Sequence, residues 1–192
     1  MTVAVLRAAD RKAVPWKNGG GVTREVAAWP PGSGFDDFAW RISMAEVRED
    51  GPFSSFPGVD RILTVLEGGL RLAVVGAGAF DLSPVAPPLA FDGEAPAVAT
   101  LMSESVLDLN VMTRRGVATA SVTHVTSDAE IPLSEGMCLV LALADEVRVA
   151  CAGDVRALSR HDGVLTSAGV TIQATTDASA IVVLLKLYRG DA

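Results

Sequence analysis

Four clusters between residues 15 and 116 hold the side chains whose types and spacing could do chemistry. The first is Trp16-Lys17-Asn18-Gly19-Gly20-Gly21, followed by Thr23-Arg24-Glu25. Three consecutive glycines permit positive φ and let a ligand approach the backbone closely. Lys17 and Arg24 add charge, and Asn18 and Thr23 add hydrogen-bonding groups. The same residues also read as a plain glycine turn with surface charges. Their spacing is not that of a Walker or dinucleotide loop. The second cluster is Arg41 and Ser43. On strand statistics alone Arg41 reads as an outward charge on a half-exposed sheet. If that face lines a lumen instead, Arg41 becomes a fork for carboxylates. In the third, Asp50–Arg61, Phe53 and Phe56 bracket Ser54-Ser55. Loop aromatics cap a pocket or, more commonly, anchor the loop. Asp60 and Arg61 could simply pair with each other. The fourth holds Asp108, Asn110 and Met112, with Arg114 and Arg115 behind them. Asp108 could satisfy an arginine in a structural network, or Asp108 and Asn110 could orient a ligand.

The missing residue types narrow the chemistry. The only histidines are His124 and His161, with no His-x-His pair, so the ligand set of a mononuclear metal site is lacking. No Gly-x-Ser-x-Gly elbow or Ser-His-Asp arrangement is indicated. Cys138 and Cys151 lie in apolar runs with no neighbouring histidine, which reads as core rather than as reactive thiolate. No metal or other cofactor is expected.

The elements that position these residues are strands. Phe38–Arg48 puts Trp40, Ile42 and Met44 on one face and Arg41, Ser43 and Ala45 on the other. Ile62–Leu66 and Leu70–Val75 flank Gly68-Gly69 as a hairpin. Leu107–Arg115 alternates likewise, with Asp108, Asn110 and Met112 sharing a face. Strand-like runs continue through 118–126, 137–144, 147–152, 170–174 and 181–188, and no sustained helical period intervenes. Trp29–Asp37 and Ser83–Pro96 read as Pro- and Gly-rich loops. The pattern predicts an all-β sandwich or barrel.

An internal repeat is also legible. Leu70–Gly76 matches Val147–Gly153 77 residues on, and Ser105–Gly116 matches Ser179–Gly190 at an offset of 74. Where the first copy carries Asp108, Asn110 and Met112, the second carries Val182, Leu184 and Lys186. Buried polar groups cost free energy unless satisfied. The first copy accepts that cost, which marks it as the site-bearing one.

The chain has 192 residues, 49% of them hydrophobic and 20% charged, enough for one large domain or two small barrels. A net charge of -7 argues against nucleic acid as a partner. No run approaches the roughly 18 apolar residues of a membrane span, and the N-terminus lacks a signal-peptide core. No membrane partner is expected, and the expected location is cytoplasmic.

Taken in order, the motifs WKNGGG with Thr23-Arg24-Glu25, then WRIS at 40–43, DGPFS at 50–54, FPG at 56–58 with Asp60-Arg61, LEG at 66–68 and DLNVM at 108–112 with Arg114 resemble the HutD/Ves family. The resemblance implies a cupin-type (RmlC-like) β-barrel, two-lobed as a bicupin, with an N-terminal barrel over 1–116 carrying the site and a C-terminal lobe over 117–192 packed on it. It implies an association with bacterial histidine utilisation and no established catalysis. It suggests a small acidic metabolite, formylglutamate or urocanate, as ligand. The residues that would meet it are Trp16, Lys17, Asn18, Gly19, Gly20, Thr23, Arg24, Arg41, Ser43, Arg61, Asp108, Asn110 and Met112. Three functions compete. A non-catalytic binder in a regulatory role is favoured. A metal-independent isomerase or hydrolase would use Asp108 or Glu25 as base with Arg41 as electrostatic stabiliser. An interaction module could form a homodimer through strands such as Val182–Leu185.

Overall fold

A computed structural model describes residues 2–173 and 179–188. The described chain is built from strands, with one short 3-10 turn at Ala8–Asp10 and no α-helix. No helix is long and apolar enough to cross a membrane. Two units are distinguished, Lys12–Ala118 on one hand and Met1–Arg11 with Thr119–Ala192 on the other.

The Lys12–Ala118 unit contains two antiparallel sheets. The larger has the order β2 (Ala13–Pro15), β3 (Gly21–Trp29), β4 (Trp40–Val47), β11 (Val106–Arg114), β6 (Val59–Glu67) and β9 (Leu89–Asp92). The smaller runs β5 (Gly51–Pro52), β10 (Ala97–Leu101), β7 (Leu70–Val74) and β8 (Gly78–Leu82). Period-two alternation decides which side chains go inside. Ala45, Val47, Leu63, Val65 and Val106 of the larger sheet pack with Leu70, Leu72, Val74, Leu82 and Ala99 of the smaller one. Trp40, Ile42, Leu109 and Val111 lie on the opposite face of the larger sheet and are also buried. The hairpin expected around Gly68-Gly69 is not formed: β6 belongs to the larger sheet and β7 to the smaller, so this turn carries the chain from one sheet to the other. Gly68 has φ 75, and a Cβ there would lie 2.4 Å from the Ser105 carbonyl oxygen. Only glycine fits that turn.

The other unit has sheets β1 (Val3–Leu6), β17 (Gly163–Thr166), β14 (Met137–Ala142), β19 (Ala180–Leu187), β12 (Ala118–Val125) and β13 (Ala129–Ile131), β18 (Val170–Gln173), β15 (Val147–Cys151), β16 (Asp154–Leu158). Its strand order repeats that of the first unit. The run β4-β11-β6-β9 recurs as β12-β19-β14-β17, and β5-β10-β7-β8 recurs as β13-β18-β15-β16. Its core is apolar, built around Cys138, Val140, Val147, Val149, Ile172 and Val182.

Two placements differ from the sequence reading. The first eleven residues group with the second unit, because Val3–Leu6 pairs with Gly163–Thr166. Arg7 Nη1 then donates to Asp162 at 2.7 Å, and Arg11 Nη2 donates to the His161 carbonyl at 2.6 Å. The Ser83–Pro96 stretch, read as a loop, contains strand β9, paired with β6 from Asp60↔Asp92 to Leu63↔Leu89. Ala174, Arg189 and Gly190, which the strand and repeat readings included, lie outside the described residues.

Candidate functional site

The site is built by ladder register. Across the larger sheet of the Lys12–Ala118 unit, one row runs Ala28, Arg41, Met112, Arg61, Phe91. The next runs Glu25, Ser43, Asn110, Leu63, and a third runs Thr23, Ala45, Asp108, Val65. Ala45, Leu63 and Val65 face the smaller sheet, so by parity Arg41, Ser43, Arg61, Asp108, Asn110 and Met112 do as well. Arg41 therefore lies on the inner face, with a side chain only 12% exposed, rather than outward as strand statistics favoured. Met112 stands opposite both arginines, which sets their Cα atoms about 10 Å apart across two inter-strand spacings.

Arg61 is 4% exposed, an unusual fate for a guanidinium, and its environment explains how it is held. Its Nε donates to Asn110 Oδ1 at 3.3 Å and its Nη1 to the Ser54 carbonyl at 3.2 Å. Phe53, Phe56 and Phe91 surround the charge, with ring centroids 5.0, 5.6 and 5.1 Å from Cζ. Cation–π attraction strengthens where water is excluded. Phe53 and Phe56 are anchored in turn, their amides donating to the carbonyls of Ala97 and Gly93 at 2.8 Å each. The loop aromatics thus anchor the loop and also wall the arginine. Gly93 is required by close approach, since a Cβ there would lie 2.6 Å from the Val59 carbonyl oxygen and 3.3 Å from the Arg61 stem. Burial lowers the Arg61 pKa to about 10, against the opposing pull of Asp108.

Arg41 is paired to Glu25 at 3.1 Å and lies under Phe35, 4.3 Å from the ring centroid. Phe35 stacks on Phe56 at 5.7 Å, so one aromatic pair spans the two arginines. Arg114 fixes the loop that carries Phe35, donating to the carbonyls of Phe38 (3.0 Å) and Asp36 (2.8 Å).

Asp108 is 2% exposed. Desolvation raises its pKa to about 7, with Arg61 pulling in the opposite direction. No hydrogen bond to its carboxylate and no direct salt bridge to Arg61 occurs among the described residues. Asp60 does not pair with Arg61, because the two sit on opposite faces of β6. It meets Arg115 at 2.8 Å instead, beside the contacts of Arg115 with Asp92 and Glu94.

The other sequence-selected residues lie elsewhere. Gly21 pairs with Val47, six residues along β4 from Arg41, so Lys17, Asn18, Gly19 and Gly20 border the far end of the sheet, about 20 Å away. Lys17, Asn18 and Gly19 are exposed, and Asn18 Oδ1 closes its own turn on the Gly20 amide at 3.2 Å. Trp16 donates from Nε1 to Thr23 Oγ1 at 2.8 Å and packs against the core. Arg24 pairs with Met44 in register, on the face opposite Arg41, and approaches Glu46 at 4.0 Å. The structure thus brings together Arg41, Ser43, Arg61, Asp108, Asn110 and Met112, with Thr23 at the margin, and leaves the glycine loop and Arg24 apart. Glu25, Phe35 and Phe91 join this group. The sequence offers Glu25 as an alternative general base, and the structure makes it the ion-pair partner of Arg41. Phe35 and Phe91 give no signal in the sequence, since each lies in a stretch that reads as loop.

The corresponding row of the second unit is apolar. Cys138 stands opposite Leu184, as Arg61 stands opposite Met112. This register matches Asp108, Asn110 and Met112 to Ala180, Val182 and Leu184, two residues from the sequence match but on the same face. All three second-unit side chains belong to or pack against the apolar core. Among the described residues, no group of three or more His, Cys, Asp or Glu could hold a metal ion.

A family model described as HutD matches residues 8–184. An uncharacterized 21.2 kDa protein in the hutC 3′ region of Pseudomonas putida is 36% identical over 160 residues, covering 82% of this chain and 83% of that protein. Protein Ves of Citrobacter koseri is 42% identical over 109 residues, 56% of each chain. The solved structure of HutD from Pseudomonas fluorescens SBW25 superposes with a TM-score of 0.85 at 29% identity, covering 98% of this chain and 100% of that one. A cupin 2 conserved barrel domain protein from Leptotrichia buccalis shares the fold, with a TM-score of 0.60 at 10% identity over 90% of this chain and 92% of that one.

Proposed function

The chain belongs to the HutD family, and we propose that its Lys12–Ala118 unit is a non-catalytic receptor for a small acidic metabolite of histidine utilisation, acting in a regulatory role. The observation that carries this reading is the buried Arg61 with Arg41 beside it, on an inner face whose counterpart in the second unit is apolar. A fold that only needed a core would have no use for two guanidiniums there, since buried charges rarely repay their desolvation. Their fork geometry suits carboxylates. Ser43 and Asn110, in the next row, suit a formyl or amide group. Formylglutamate fits this donor set through its two carboxylates and formamide, and urocanate fits through one carboxylate. We read the repeated strand order as two cupin-type barrels derived by duplication, the second having lost or never acquired the polar row.

One observation favours a second reading, metal-independent turnover. Asp108 titrates near neutrality, where a general acid or base is most effective. The two readings separate by experiment. Thermal unfolding is followed against formylglutamate, urocanate, glutamate and histidine, with Arg41→Ala as control, and each bound compound is assayed for consumption. A ligand at about 100 times its Kd stabilises by roughly 2.7 kcal/mol. A shift with an acidic compound that is lost in the variant, without consumption, supports the receptor. Consumption supports turnover. No shift with any compound overturns the ligand reading.

A further inference from the structure

We propose that Asp108 is a proton-coupled specificity residue: the site takes up a proton on Asp108 when it binds an anionic ligand, and the protonated carboxyl then donates a hydrogen bond to that ligand. This rests on the receptor reading above. The chain itself shows how it satisfies a structural buried carboxylate. Asp162 of the other unit is 5% exposed and accepts from Arg7 Nη1 (2.7 Å), the Ala8 amide (2.8 Å) and the Ser159 amide (3.2 Å). Burial pushes the Asp162 pKa up, but these hydrogen bonds outweigh it and hold the carboxyl below its ordinary value. Asp108 is more deeply buried and has no such donor among the described residues. Nor is it paired directly with Arg61, whose Nε and Nη1 are turned toward Asn110 and Ser54.

Among the described residues, the charged groups on the faces packed around Asp108 are few. They are Arg61 on β6, Arg41 on β4 and Glu25 on β3, and Glu25 is already committed to Arg41. The inner face of the smaller sheet offers apolar side chains such as Leu72 and Ala99, and Phe53 packs against the same core. Among the described residues, Arg61 is therefore the counter-charge that acts on Asp108. An anion that engages Arg61 removes that counter-charge and adds a second negative charge beside a buried carboxylate. Two adjacent carboxylates in a desolvated site share a proton rather than both ionising. The carboxyl of Asp108, already half protonated near neutrality, then becomes a donor. The site should thus favour ligands that are anionic and carry no ammonium, such as N-acylated acidic amino acids. A free ammonium would instead pair with ionised Asp108.

The test is calorimetric titration with N-formyl-L-glutamate, whose carboxylates stay ionised from about pH 6 to 9. Titrations are run in two buffers of different ionisation enthalpy, so that proton uptake is counted directly. The expected result is uptake approaching about one proton per ligand at about pH 8, with affinity falling several-fold for each pH step above about 7. Asp108→Asn should bind with no net proton uptake and a flat pH profile. Thermal shift at each pH reports binding independently of the heats. Binding with zero proton uptake in the native protein overturns this inference alone, and tighter binding at higher pH does so too. Absence of binding at every pH overturns the receptor reading, and this inference with it.

Discussion

Replacing Asp108 with asparagine removes a titration that the fold has displaced, and the effect on stability can be worked out. The unfolded chain releases the Asp108 proton near 3.8, whereas the folded chain keeps it up to about 7. Between those values the folded state binds more protons than the unfolded one, so stability falls as pH rises through the window. The loss is absent below the unfolded value and complete above the folded one. Each tenfold difference in proton affinity is worth about 1.4 kcal/mol, so ionising Asp108 in the fold costs on the order of 4 kcal/mol. The assay is urea unfolding of the native protein and Asp108→Asn at about pH 4.5, 6, 7 and 8, followed by circular dichroism. The difference between the two proteins isolates Asp108 from every other titrating group. The native protein should lose about 3 kcal/mol more than the variant across that range. A constant difference, or a native protein that gains stability with rising pH relative to the variant, would refute the reasoning. Either would mean that Asp108 is ionised throughout, held by a tight pair with Arg61.

The double variant Arg61→Met/Asp108→Leu copies the apolar strategy of the second unit, and it should fold with stability equal to the native protein or up to about 4 kcal/mol greater. Urea midpoints check this, and a large loss would show that the polar pair is structural. Gly93→Ala places a Cβ 2.6 Å from the Val59 carbonyl oxygen and against the Arg61 stem. It should cost about 1–3 kcal/mol and weaken ligand binding, and unchanged thermal stability would count against the close approach. Burial pushes the Cys138 thiol up to about 12 and raises Cys151 as well. Neither should react with a thiol reagent in the native state at about pH 8, and rapid labelling before unfolding would contradict their placement in the core.

Much of this is legible in the sequence, and the reason is period two. Alternation over 40–48 and 107–115 assigned Arg41, Ser43, Asp108, Asn110 and Met112 to faces, and those faces are the ones observed. Alternation cannot say which face is inside, because that depends on what the sheet meets. Strand statistics therefore turn Arg41 outward, whereas it lies on the inner face, paired with Glu25 and covered by Phe35. Register was equally hidden. The glycine loop and Arg41 are neighbours in motif order, but antiparallel pairing of β3 with β4 sends them to opposite ends of the sheet. The shift in register between Glu25 and Ala27 cannot be found from one strand alone. The repeat at 70–76 and 147–153 was visible because both copies keep the same hairpin. The pairing of Val3–Leu6 with Gly163–Thr166 spans most of the chain and leaves no local trace. Phe35 and Phe91 were missed for a related reason, since a single aromatic in a Pro- and Gly-rich stretch does not show what it covers.

The central claim is that the polar row of the Lys12–Ala118 unit exists to hold an acidic ligand. The most direct measurement is a calorimetric titration of N-formyl-L-glutamate into the native protein and into Arg61→Met/Asp108→Leu, both shown to be folded by cooperative unfolding curves. Saturable binding at one site per chain in the native protein, abolished in the double variant, is the expected result. Equal affinity in the two proteins would contradict the account, because the ligand would then be bound somewhere other than at these residues.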